Sequence, residues 1–140
     1  MFKKTSKNKG FTLIEILAVV AIIGILSAVT VMYLNAARSK GRDASRKGAL
    51  RQIENAIIIF ADNNNGNYPD NLVNLVPEYM PKVPQDPKTN TVYSYNVSDD
   101  KNRYELNANL EINIDNSADI DGGNEPFPVY EVGSDLKLLP

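Results

Sequence analysis

The side chains with the clearest chemical potential in this chain of 140 residues stand at its start and in one late loop. At the start, Lys9-Gly10-Phe11-Thr12-Leu13-Ile14-Glu15 runs directly into an uncharged stretch from Ile16 to Leu34. Glu15 is therefore a lone carboxylate at the mouth of an apolar run. An ionised carboxylate there is expensive unless a cation or a donor relieves it, so the position invites a functional role in pairing. In the late loop, Asp115, Asp119, Asp121 and Glu125 stand among Asn113, Asn116 and Asn124. These are the hard oxygen ligands that calcium prefers. Asp119-Ile120-Asp121-Gly122 follows part of a calcium-loop pattern, but the full EF-hand spacing is missing. A solvated acidic turn has the same composition.

Other chemistry is poorly provided for. The chain has no histidine and no cysteine, which removes the usual general base, the commonest metal ligand and any disulfide. It also lacks a phosphate-cradling glycine loop and a serine nucleophile elbow. The acid pair Asp99-Asp100 falls in a turn, where water keeps both groups ionised. The sequence reads as a protein that is not an enzyme.

The elements that position these groups begin with a long helix. Nineteen uncharged residues at 1.5 Å each span roughly 28 Å, close to the hydrocarbon thickness of a bilayer. Residues 35–62 contain no proline, and Leu50, Ile53, Ile57 and Phe60 recur at three- and four-residue steps, so the helix continues with one apolar face. Ile58 and Ile59 put apolar surface on other faces too, which suits either a helix buried in a monomer or one covered by neighbouring chains. Asn63-Asn64-Asn65-Gly66 ends the helix, with Gly66 as a left-handed cap. A proline-rich stretch follows from 67 to 90, with a short helical piece over 71–76. Alternation predicts a hairpin of strands over 91–97 and 104–112 and a third strand over 129–132. The fold class is α+β: a long N-terminal helix, membrane-spanning in its first half, packed on a small antiparallel sheet.

Charge is unevenly placed. Lys3, Lys4, Lys7 and Lys9 precede the apolar run, so residues 11–140 hold eleven basic against seventeen acidic side chains, a net of −6. Six basic side chains and one acid, Asp43, lie between Arg38 and Arg51. Such a collar suits anionic headgroups or acidic surfaces of adjacent copies. Phosphate attraction needs only charge, yet nucleic acid is an unlikely partner, since a run of charge is usually a solvated or headgroup-facing surface.

Residues 1–34 resemble the N-terminus of type IV prepilins and of the pseudopilins of type II secretion. The resemblance rests on the basic tail, Gly10-Phe11, Glu15 and the uncharged run behind them. It implies cleavage after Gly10 by a prepilin peptidase/methyltransferase, N-methylation of Phe11 and assembly with identical and minor subunits into a helical filament. It further implies that Glu15 pairs with the Phe11 amine of a neighbour. Phe11 and Glu15 are one helical turn apart, so spacing alone permits pairing within one helix or between two. The implied surroundings are the cytoplasmic membrane and a pilus or secretion assembly platform, with a filament outside the cell or in the periplasm as the end point. Calcium in the C-terminal loop, at Asp115, Asp119, Asp121 and Glu125, would match a habit of the pseudopilins. Two features depart from the family. The disulfide many pilins carry is missing, and Met32 replaces a common helix-breaking proline, which puts local unwinding in doubt.

The domain organisation that follows is a leader at 1–10, an assembly helix at 11–34, its amphipathic continuation at 35–64, and a loop plus β head at 65–140. The reading from a different class is a membrane-anchored binding module that never polymerises. A conventional secretory signal is disfavoured, since Leu34 or Asn35 stands at the outer specificity position near Asn35-Ala36-Ala37. Basic residues flank the span on both sides, so the positive-inside rule gives almost no preference for orientation.

Overall fold

A computed structural model describes residues 10–112, 118 and 128–138 of the chain. Two compact units are distinguished, Met1–Ala37 and Arg38–Pro140. One helix, α1, runs over Leu13–Asn63. In the first unit its side chains are exposed on every side, and they are apolar nearly all round. A helix of that kind needs an apolar medium or other helices for cover.

In the second unit, α1 presents one buried face. Leu50, Ile53 and Ile57 are fully buried, and Ala56 and Ala61 nearly so. Each fully buried Leu or Ile contributes about 1.5–3 kcal/mol of transfer free energy. The helix ends where the asparagine run predicts. The amides of Asn64 and Gly66 both donate to the carbonyl of Ala61, at 3.0 and 2.9 Å. Gly66 has φ +85°, a conformation that glycine adopts without a Cβ penalty. Met32 lies within the unbroken helix.

After the helix, a single 3-10 turn over Leu72–Leu75 is capped by Asn71, whose side chain accepts the amide of Val73 at 3.0 Å. It delivers Leu72 and Leu75 to the core. Three strands then form an antiparallel sheet in the order β1 (Ser94–Val97), β2 (Tyr104–Asn109), β3 (Val129–Gly133). Tyr95 faces Leu106 across the first pair, and Leu106 faces Val132 across the second. Tyr104, Leu106 and Ala108 alternate onto the core with Leu50, Ile53 and Ile57.

The first two strands are shorter than the alternation predicts, for identifiable reasons, and the third runs one residue further, to Gly133. Leu110 turns its amide to the carbonyl of Pro128, and the amides of Glu111 and Ile112 go to the Asp43 carboxylate. Residues 110–112 therefore have partners outside the predicted ladder. At the other end, Val92 makes only an isolated bridge to Gln85. The sheet is also covered on both faces: Glu105 and Glu131, which alternation points outward, are fully buried. The amide of Leu138 donates to Glu105 at 2.6 Å, so the C-terminal segment contributes to that cover.

Candidate functional site

The N-terminal site is built from the residues that start the helix. Gly10 and Phe11 precede α1 and are exposed, which leaves the peptide bond between them outside regular structure. Thr12 is the residue immediately before the helix. Its hydroxyl and its backbone amide both donate to Glu15 Oε2, at 2.7 and 2.8 Å. The amide of Glu15 returns a bond to Thr12 Oγ1 at 3.3 Å. This reciprocal arrangement is a capping box, which satisfies amides that the first helical turn leaves without partners. The negative carboxylate also suits the positive end of the helix dipole. The spacing Thr12-x-x-Glu15 is visible in the sequence, but weighing Glu15 for its charge alone passes over it.

Beyond the cap, Leu13, Ile14, Ile16, Leu17, Val19 and Val20 are all at least half exposed. The hydroxyl of Thr30 donates to the carbonyl of Leu26 at 2.9 Å, so it asks nothing of an apolar medium. The helix is long and apolar enough to cross a membrane. Residues 5–31 match the family model described as the prokaryotic N-terminal methylation motif. The chain carries the type IV pilin and pseudopilin signature. No curated protein and no solved structure matches it. The signature ends at residue 31, so the head of this pilin-like chain has to be read from its own geometry.

That head holds a second charged site, where the basic collar was expected to face outward. Arg42 forks onto Glu111, with Nε and Nη2 each 2.7 Å from a carboxylate oxygen. Arg46, nearly fully buried, reaches three acids. Its Nη1 lies 2.7 Å from Asp43 and 3.0 Å from Glu111, and its Nε and Nη2 both bond Asp86. Lys88 approaches Glu111 at 3.3 Å. Three cations and three carboxylates thus form one neutral cluster joining α1, the 86–89 turn and the end of β2. The Arg42 guanidinium holds the Glu111 carboxyl well below the usual carboxylate range, and Arg46 does the same for Asp86. Backbone amides of Lys88 and Thr89 add to the effect at Asp86.

The collar is therefore partly an internal ion cluster. Arg42 and Arg46 lie one helical turn apart on the side that faces the sheet, and Lys47 sits over the ring of Tyr130 at 5.4 Å. Arg38, Lys40 and Arg51 remain exposed. This arrangement neutralises two of the cations on which headgroup or nucleic-acid attraction would draw. Asp43 is the member the sequence undersold, since its main partners lie far along the chain. The predicted calcium ligands Asp115, Asp119, Asp121 and Glu125 lie outside the described residues. Among the described residues no cluster of three or more histidine, cysteine or acidic side chains is placed to hold a metal ion.

Proposed function

We propose that this chain is the precursor of a structural subunit of a type IV pilus or of a type II secretion pseudopilus. A prepilin peptidase/methyltransferase cuts after Gly10 and methylates the new Phe11 amine. An assembly platform then draws the mature chain out of the cytoplasmic membrane into a helical filament with identical and minor subunits. The observation that carries this reading is the methylation motif over residues 5–31.

Glu15 has two successive partners in this scheme. In the stored subunit its carboxylate is held by Thr12, which lowers the cost of keeping a charge beside lipid. In the filament the Phe11 ammonium of a neighbouring copy joins it and sets register. Hydrophobic packing of the apolar helices supplies most of the cohesion. Intact-mass and N-terminal analysis of the protein from its native cell tests the scheme. Loss of residues 1–10 with a methylated Phe11 is the expected result. An intact N-terminus in cells with an active prepilin peptidase would overturn it and favour the membrane-anchored binding module. Glu15→Ala should insert into the membrane normally but assemble poorly; normal filament yield from that variant would remove the pairing role.

A further inference from the structure

The ladder between β1 and β2 stops one hydrogen-bonded pair early. The amide of Ser98 donates to the carbonyl of Arg103, which makes Ser94 and Asn107 a hydrogen-bonded pair and Val92 and Asn109 the next. That pair does not form, because Val92 bridges Gln85 instead. Asn109 has no outlet toward β3 either. Leu110 donates to Pro128, so by alternation the N–H and C=O of Asn109 point toward β1. Among the described residues, neither Val92 nor Asn109 finds a backbone partner on that side. A cleft of about 340 Å³ opens there, walled by Val92, Tyr93, Ala108 and Asn109. Tyr93 is only 7% exposed, and its hydroxyl is buried without a hydrogen-bond partner. A buried polar group in that state is destabilising, so a ligand that supplies the missing bond gains by it.

Charge narrows the ligand. Arg46 and Lys88 line the cleft, but both are paired with Asp86 or Glu111, which line it too. Two cations and two carboxylates leave no net charge for an ion to answer, so the site suits an uncharged ligand. Thr89, Thr91 and Ser94 add exposed hydroxyls around the opening. A secondary amide, with one N–H and one C=O, complements the open backbone groups of Val92 and Asn109. Hydroxyls, which both donate and accept, complement the phenol and the threonines. A cleft at the small end of the usual range, about 300–1,000 Å³, suits a single sugar unit. We propose that this cleft binds an N-acetylated amino sugar, with the acetamido group between Val92 and Asn109 and the ring hydroxyls toward Tyr93 and the threonines. The inference goes beyond the filament reading and applies equally to the unassembled chain.

Solution NMR of the isotope-labelled full chain, in a detergent without a sugar headgroup, tests this with N-acetylglucosamine as the probe. Saturable shifts at the Val92 and Asn109 amides and at the Tyr93 ring are the expected result. Glucose, which has the hydroxyls alone, and N-methylacetamide, which has the amide alone, should each bind at least tenfold more weakly. Tyr93→Phe should melt no lower than the parent, since its hydroxyl has no partner to lose, yet weaken N-acetylglucosamine binding at least tenfold. Ser94→Phe, which crowds the exposed mouth of the cleft, should abolish the shifts. Unchanged binding in both variants would overturn the assignment to this cleft. Equal shifts from trialanine amide would make the cleft a peptide slot and overturn the sugar. No response to millimolar N-acetylglucosamine would leave the cleft to water and sink the proposal outright.

Discussion

The Asp43 carboxylate holds the backbone amide of Glu111 at 2.9 Å, so a side chain on the helix terminates a strand of the sheet. The same carboxylate accepts the amide of Ile112 at 2.8 Å and the guanidinium of Arg46 at 2.7 Å. Asp43→Ala should lose about 3 kcal/mol, since two amides and a buried charge are left without their acceptor. Urea unfolding of the full chain in detergent measures this, with the denaturant slope unchanged. A loss under about 0.5 kcal/mol would show that water replaces the carboxylate.

Arg46 gives the complementary test. Arg46→Ala leaves Asp43 and Asp86 without the cation that pairs them and should cost about 3–5 kcal/mol. Lys101→Ala, which breaks an exposed pair with Asp70, should fall within about 1 kcal/mol of the parent. Equal losses from the two variants would mean that the cluster contributes no more than a surface pair does.

Acid should unfold the head through this cluster. Glu111 and Asp86 titrate below their ordinary values of 4.5 and 3.8 in the folded protein, because Arg42 and Arg46 favour the charged forms. Their contribution is present in full above those ordinary values. As pH falls through and below them, the unfolded chain takes up protons first and the contribution is lost. The chain has no histidine, so no side chain of ordinary pKa titrates between about pH 6 and 8. The expected melting temperature is flat over that range and falls below about pH 4.5, with a shallower fall in Glu111→Gln. An unchanged profile in that variant would place the acid sensitivity elsewhere.

How much of this was legible follows from how local each signal is. The helix end at Gly66, the core stripe Leu50-Ile53-Ile57 and the turn between β1 and β2 are set by neighbours in sequence, and periodicity or turn chemistry predicts them. The capping box was equally local but is read only when Thr12 and Glu15 are taken as a pair. The ion cluster was not legible, because Glu111 lies 68 residues from Asp43 and 69 from Arg42. Burial of Glu105 and Glu131 was hidden for the same reason: alternation assigns them the outer face, and only the fold shows that the face is covered.

Thr12 should matter through its hydroxyl. Thr12→Ala removes the cap and should cost about 1 kcal/mol at the helix start, while Thr12→Ser keeps it. Amide hydrogen exchange over residues 13–16 in detergent reads this directly. Equal protection in both variants would show that the cap does not stabilise the first turn.

Gly133 is required by its surroundings. It has φ +156°, and a Cβ there would lie 2.3 Å from the carbonyl oxygen of Tyr104. Gly133→Ala should therefore lower stability by about 2 kcal/mol or more, through strain at β3 rather than loss of a contact. A melting temperature equal to the parent's would show that the strand end shifts freely.

The distance in sequence between the two sides of the ion cluster also sets an order of events at birth. Ribosomes add roughly 5–20 residues per second, so Glu111 is synthesised roughly 3–14 seconds after Asp43, which precedes it by 68 positions. Through that interval the newborn helix carries Arg42 and Arg46 before the carboxylate that joins them has been made. The head cannot close early, whatever the strength of the helix. Chain polarity makes its last strands the clock for the whole domain.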